Sequence, residues 1–151
     1  MFQDATLIEK RHQRFIKTVC ATGIVYSLKR RKGFATTSSV HFENDDGDPL
    51  GMICFWAEKA LAKSCAIDSW RKYKLIEISL GDFLENWCIG MENDNLLVGT
   101  QFDKNMFGFE AEPLELILDL CTELSVLKKE VPLKKFTGIK DLAQQVKAII
   151  E

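Results

Sequence analysis

Residues 52–57 read Met-Ile-Cys-Phe-Trp-Ala, the longest uninterrupted apolar run in the chain. A membrane-spanning helix needs about 20 apolar residues, so this run is far too short to cross a bilayer. An apolar run of this length without polar alternation is typical of a strand that is covered on both faces. We therefore expect a strand here that is enclosed by other elements.

Two alternating segments precede this strand along the chain. Apolar and polar residues alternate in Ile24–Leu28 and again in Phe34–Phe42, and the polar segment Lys29–Gly33 joins them. This arrangement predicts a β-hairpin. In its second strand, Val40 and Phe42 are expected to share the apolar face.

A helix is predicted before the hairpin. Asp4 is a suitable N-cap, Gly23 is a suitable end, and apolar residues with one histidine recur between them at helical spacing. This stripe comprises Ile8, His12, Phe15, Ile16 and Val19.

After the apolar run, predicted helices alternate with predicted strands. They are a helix over Ala57–Ala66, a strand over Leu75–Ile78, a helix from Ser79 through Trp87 that Gly90 ends, a strand at Leu96–Val98 and a helix from Pro113. Strands that come first as a run and later alternate with helices favour an α+β fold. We expect a mainly antiparallel sheet of about five strands with helices packed on it.

The chain is predicted to form one α+β domain over residues 1–130, followed by a C-terminal amphipathic helical extension over residues 131–151. The apolar positions of this extension follow helical spacing from Ile139 to Ile150. A helix this short is marginal in water, so its apolar stripe has to be buried. We expect it to dock on the parent domain, with a symmetric dimer as the alternative.

Composition excludes several classes of protein. Hydrophobic residues make up 46% and charged residues 28% of the chain, as in an ordinary globular domain. The net charge of −2 carries no electrostatic signature of a nucleic-acid or membrane partner. The five cysteines are an odd number without short spacings, which favours reduced thiols and a cytoplasmic location.

The expected assembly is a monomer or a homodimer.

Aromatic and glycine-containing motifs recur from Phe55 to Pro113. They are Phe55-Trp56, Ala62-Lys63, Cys65-Ala66, Trp70-x-x-Tyr73, Phe83-Leu84-Glu85-Asn86-Trp87, Gly90-Met91, Leu97-Val98-Gly99, Phe102-Asp103-x-Asn105, Gly108 and Glu110-x-Glu112-Pro113. In these motifs the chain resembles an uncharacterised bacterial family, domain of unknown function 2750, roughly from residue 10 to residue 125. Ala57 and Leu61 depart from the family pattern, which tends to have a Ser and a Tyr there. Because the family has no assigned activity, the resemblance implies a domain boundary and leaves function open.

Three tryptophans and four polar residues are the candidate binding residues. Trp56, Trp70 and Trp87 would either line an aromatic pocket or fill the core, and the core is the commoner place for a tryptophan. The polar candidates lie after the last predicted strand: Asp103, Asn105, Glu110 and Glu112. Carboxylate pairs can divide acid and base roles, but these residue types also form turns and helix starts.

Other kinds of chemistry have little support in the sequence. A cysteine nucleophile needs a thiolate, normally made by a nearby histidine, and His12 and His41 are the two histidines of the chain. No closely spaced Cys/His ligand pairs for zinc and no glycine-rich phosphate loop occur, so we expect no metal and no cofactor. The basic run Lys29–Lys32 is interpreted as a solvated hairpin tip, and the acidic loop Glu43–Asp48 is expected near it.

Two functions follow from these observations. The preferred one is a small cytoplasmic binding or adaptor module that recognises a protein partner or a small ligand and performs no chemistry. The alternative is a hydrolase that uses Asp103, Glu110 or Glu112. Convergence of these carboxylates in an apolar cleft would favour the hydrolase, whereas separate positions would favour the binding module.

Overall fold

The computed structural model describes residues 5–151. Asp4, the predicted cap of the first helix, lies outside the described residues. The helix itself is present as α1 (Ala5–Thr22), and it buries the predicted stripe from His12 to Val19. It ends at Gly23, whose φ of 76° is a left-handed conformation that terminates helices.

Among the described residues 5–151, seven strands form one sheet. They are β1 (Ile24–Arg30), β2 (Gly33–Phe34), β3 (Thr36–Glu43), β4 (Pro49–Trp56), β5 (Lys74–Ser79), β6 (Leu97–Thr100) and β7 (Phe109–Ala111). The remaining helices are α2 (Lys59–Ser64), α3 (Leu80–Asp82), α4 (Ile89–Asn93), α5 (Pro113–Val126) and α6 (Ile139–Ile150), with a 3-10 turn at Asp68–Trp70 and a π-helical segment at Phe83–Cys88. The predicted α+β class is confirmed.

The sheet is mixed, with one parallel pair among antiparallel ones. Strand β5 pairs with β1 along its whole length, and β4 pairs with β1 and β3, all in antiparallel orientation. Strands β4 and β6 run parallel, and β7 closes the sheet antiparallel to β6. Residues 52–56 of the apolar run accordingly lie in a strand with neighbours on both sides, and Phe55 and Trp56 are fully buried.

The sheet forks at Ala35. Strands β1 and β4 pair directly at Ser27 and Phe55, but farther along they separate and the chain of β2 and β3 lies between them. Ala35 donates its N–H to the carbonyl of Leu28 and accepts the N–H of Cys54, both at 2.9 Å. The predicted second hairpin strand is therefore divided between two neighbours at this residue.

The second half of β3 departs from the predicted alternation. Its pairing with β4 shifts register between Ser38 and Glu43, and Ser39 is the buried residue there. Val40 is 81% exposed. The prediction that Val40 and Phe42 share a covered face is wrong because the bulge changes which side chains point towards the sheet.

Gly90 does not end the helical stretch that follows β5. Ser79, where the predicted helix begins, caps α3, since its Oγ accepts the N–H of Asp82 at 3.3 Å. The chain continues as a π-helical segment and then as α4, which contains Gly90. The left-handed residue that follows α4 is Asn95, with φ 58°.

The C-terminal segment packs on the rest of the chain. Ile139, Leu142 and Val146 of α6 are buried in the larger core cluster, which also contains residues of α1 and α5. The carboxylate of Glu85, 4% exposed, accepts the backbone N–H groups of Lys134 and Lys135 at 2.8–3.0 Å. The expected docking of the tail on the domain is thus observed.

Within residues 5–151, no helix is both long enough and apolar enough to span a membrane.

Candidate functional site

The smaller of the two core clusters lies on one side of the sheet and includes Trp56, Cys65, Trp70 and Phe102. A cleft of about 310 Å³ lies on this side. Three chain segments line it: the first residues of β3 (Thr36, Thr37), the segment between Cys65 and Trp70, and the loop between Asp103 and Met106. Two of the residues predicted from sequence, Trp70 and Asp103, therefore line the same cleft.

Trp70 lines this cleft and packs on Trp56 behind it. The rings of Trp70 and Trp56 meet edge to face, with centroids 6.1 Å apart. Trp56 is fully buried, and its Nε1–H donates to the carbonyl of Phe102 at 2.9 Å. The thiol of Cys65 donates to the same carbonyl at 3.2 Å. The base is held by packing and by hydrogen bonds, so the cleft exists before any ligand arrives.

Asp103 organises the loop that borders the cleft. Its Oδ1 accepts the N–H groups of Asn105 at 2.9 Å and Phe107 at 3.1 Å. Its Oδ2 pairs with Arg11 of α1 at 3.2 Å, and Arg11 also donates to the carbonyl of Phe107. Asn105 thus contributes its backbone to the loop, and a charge-assisted contact fixes the loop to α1.

Trp87 lies away from this cleft. Its half-buried ring meets Phe34 and Phe55 edge to face, at centroid distances of 4.7 and 5.6 Å. Its Nε1–H donates to Asp82 at 3.2 Å.

The two remaining carboxylates have other surroundings. Glu110 accepts hydrogen bonds from the hydroxyl of Ser39 and from the N–H of Val40. Glu112 is exposed at the start of α5, and a hydrogen bond with Glu115 raises its pKa, with burial and the charge of Glu115 adding to the effect. None of the hydrogen bonds found among the described residues joins Asp103, Glu110 and Glu112 to one another.

The cleft contains a thiol but no activating base. Burial raises the pKa of the Cys65 thiol, so the group stays protonated at neutral pH. His12 hydrogen-bonds to Thr100 through Nδ1 at 2.7 Å and stacks on Phe109. No histidine is among the residues that line the cleft, and residues 5–151 contain no group of three or more His, Cys, Asp or Glu side chains arranged to hold a metal ion.

Sequence reasoning missed most of the cleft wall. From the sequence, Thr36 and Thr37 are interpreted as ordinary strand residues, and Cys65 is interpreted as a small core residue. Asp68 and Met106 have left-handed backbones, with φ 51° and 67°. The short polar segment Asp68-Ser69 before Trp70 was the available signal, because such residues mark an exposed turn.

A comparison with models of protein families shows which family the chain belongs to. The model of the family described as protein of unknown function DUF2750 matches residues 12–120, which is most of the chain. The chain belongs to the DUF2750 family. All cleft-lining residues of this DUF2750 protein fall within the matched region, whereas α6 lies outside it. No curated protein and no solved structure is significantly similar to it.

Proposed function

We propose that this DUF2750 protein is a small binding module that takes a small ligand into the cleft beside Trp70 and Asp103. The observation that carries the proposal is the preformed cleft, whose base and bordering loop are both held by hydrogen bonds. Its volume of about 310 Å³ falls at the lower end of the roughly 300–1,000 Å³ typical of small-molecule sites. A small ligand therefore fits it better than a protein partner does.

The wall of the cleft combines two kinds of group. Ile67, Trp70 and Met106 are apolar, whereas hydroxyl groups, carboxylates and one ammonium group are distributed around them. Sites of this composition bind a ligand through its apolar part and orient it through a few polar contacts. We infer a ligand with a compact apolar portion and at least one hydrogen-bonding group.

Hydrolysis is less well supported as a function. Asp103, Glu110 and Glu112 each have different hydrogen-bonding partners. General acid and base groups have to act on one substrate from defined separations. These carboxylates instead organise a loop, anchor β3 and begin a helix.

We also propose a cytoplasmic location. All five cysteines are free and buried, as expected for a protein of a reducing compartment.

The test is a fragment screen on the full chain labelled with ¹⁵N, read by amide shifts. We expect the hits to perturb residues 67–70 and 103–106 together. A Ser69→Trp substitution should fill the cleft and abolish these shifts. The matched control is Ser125→Trp, because Ser125 is also an exposed serine and lies near the end of α5, outside the cleft. A screen without hits in the cleft, or hits that bind both variants alike, would contradict the proposal.

A further inference from the structure

A second groove lies on the other side of the sheet. It has a volume of about 250 Å³, and its apolar residues are Phe34, Ile53, Trp87, Met91 and Leu96. The rings of Phe34 and Trp87 meet edge to face, with an interplanar angle of 84°. Gly90 lines the groove as well, and a Cβ placed on it would have no heavy atom within 4 Å. The groove is thus an aromatic corner with open space in front of it.

Trp87 belongs to the π-helical segment Phe83–Cys88. A π-helical segment is rare and occurs frequently at functional sites. In this protein it carries the one tryptophan that stays half-buried, since Trp56 and Trp70 are buried.

Positive charge borders this aromatic corner. The ammonium group of Lys29 lies 5.3 Å from the centroid of the Phe34 ring. Strand pairing places Lys29 directly beside Lys74 of β5. This register joins the basic run Lys29–Lys32 to a second basic segment, Arg71–Lys74, that sequence analysis did not connect with it.

The basic residues of both segments are available to a ligand. The members of this basic rim are exposed: Lys29, Arg30, Arg31, Lys32, Arg71, Lys72 and Lys74. Of the ion pairs found within residues 5–151, none involves a member of the rim, and the acidic loop Glu43–Asp48 forms none with it. In a protein with net charge −2, Lys29 and Lys74, which the strand register places side by side, and their basic neighbours in sequence concentrate positive charge that attracts anions.

We propose that the groove and the basic rim together bind an aromatic ring that carries a phosphate group, as in a nucleoside monophosphate. The ring would pack against Trp87 and Phe34, because aromatic faces bind planar rings. The phosphate would lie towards Lys29 and Lys74, where several cations suit a dianion better than a single carboxylate. Asp94 also lines the groove and offers carboxylate oxygens as acceptors for the amino group of a base. The Asn86 side chain beside it is already hydrogen-bonded to Asp82 and Lys135.

The same chemistry is found in a free nucleotide and in the terminal nucleotide of a single strand. Binding of a long strand depends on many phosphate contacts. The net charge of −2 opposes such contacts outside the rim, so the free nucleotide is the expected source.

The experiment titrates the full ¹⁵N-labelled chain with adenosine 5′-monophosphate, adenosine, inorganic phosphate and a short 5′-phosphorylated oligoadenylate. We expect the nucleotide to shift the Trp87 indole signal and the amides of Phe34 and Gly90. Adenosine and phosphate alone should each bind about tenfold more weakly, since each loses one half of the site. Tighter binding of the oligonucleotide would support the site and assign the single strand as the source, and equal binding would assign the free nucleotide.

Two variants separate the halves of the site. Gly90→Leu, whose Cβ would have no heavy atom within 4 Å, should fill the groove and abolish the shifts. The double variant Lys29→Glu/Lys74→Glu should weaken nucleotide binding at least about tenfold, whereas the control Lys17→Glu, an exposed residue of α1, should leave it unchanged. The proposal is overturned if the nucleotide causes no shift at Trp87, if phosphate alone binds as well as the nucleotide, or if Gly90→Leu still binds.

Discussion

His12 shows how a single buried residue couples the fold to pH. It is 3% exposed, it stacks on Phe109 at a centroid distance of 3.8 Å, and it hydrogen-bonds to the buried hydroxyl of Thr100. Burial lowers its pKa from 6.5 to about 4, against the opposing charge of Glu9. The folded protein therefore holds this imidazole neutral at pH values where the unfolded chain protonates it.

Stability should consequently fall as the pH drops from about 6.5 towards 4. Over this range the unfolded state takes up a proton that the folded state does not, and above pH 6.5 the effect vanishes. We expect His12 to account for a loss of about 2–3 kcal/mol in the free energy of unfolding between about pH 7 and about pH 4.5. Urea unfolding at the two pH values measures it. His12→Gln is the comparison, and an equal loss in both proteins would show that the histidine is not responsible.

For single residues, some structural roles could be predicted from the sequence. Trp56 and Trp70 are buried, in line with the preference for core tryptophans, and His12 lies on the predicted apolar stripe of α1. Asp103 and Glu110 also bind distant partners, Arg11 and the β3 backbone, which are more than 60 positions away along the chain. Local patterns contain no information about such distant partners.

Two glycines in the helical stretch after β5 have opposite roles at the scale of elements. A Cβ on Gly81 would come within 2.5 Å of the carbonyl oxygen of Pro132, whereas one on Gly90 would meet nothing within 4 Å. Gly81 is therefore required for the close approach of the C-terminal segment, and Gly90 is not required for packing.

The two Gly→Ala substitutions should change stability in opposite directions. Gly81→Ala should cost about 1–3 kcal/mol because the C-terminal segment has to shift. Gly90→Ala should stabilise the protein by about 0.5–1 kcal/mol, since alanine is the better helix former. Thermal or urea unfolding of both variants measures this difference, and similar effects of the two would contradict the packing described for Gly81.

Element types were more predictable than their ends and pairings. Every predicted helix is present, because apolar residues at helical spacing indicate both the helix and the face that it buries. The fork at Ala35, the bulge in β3 and the parallel pairing of β4 with β6 arise from contacts between distant segments. The short strand β7 was missed, since three residues are too few for a period to show.

At the scale of the whole molecule, we propose that residues 1–130 form the domain and that residues 131–151 complete it as an extension. Three apolar residues of α6 are buried in the shared core. Glu85 depends on the extension for the backbone N–H groups that its buried carboxylate accepts.

Truncation after Lys129 should therefore destabilise the protein. Loss of three buried side chains, at roughly 1.5–3 kcal/mol each, predicts a loss of at least about 4 kcal/mol and a melting temperature lower by about 10 °C or more. The control is Ile149→Ser/Ile150→Ser, which changes only exposed tail residues. An unchanged melting temperature after truncation would refute the role of the extension, and sedimentation of the control shows whether these exposed residues hold a dimer.

The cleft itself is a property of the whole fold. Trp70 and Asp103 are 33 positions apart, and β3 adds the wall between them only because the sheet forks. Sequence identified two of its residues as candidates, but their convergence required the structure.

The most direct test of the binding module is a crystal structure of the full chain with the tightest-binding fragment of the screen. The account predicts the fragment against Trp70, within hydrogen-bond distance of at least one of Thr37, Ser69 and Asp103. It also predicts that the Trp56–Trp70 pair and the Asp103–Arg11 contact stay as they are in the free protein. A fragment bound elsewhere with the cleft unoccupied, or a cleft that has to rearrange to admit it, would contradict the account.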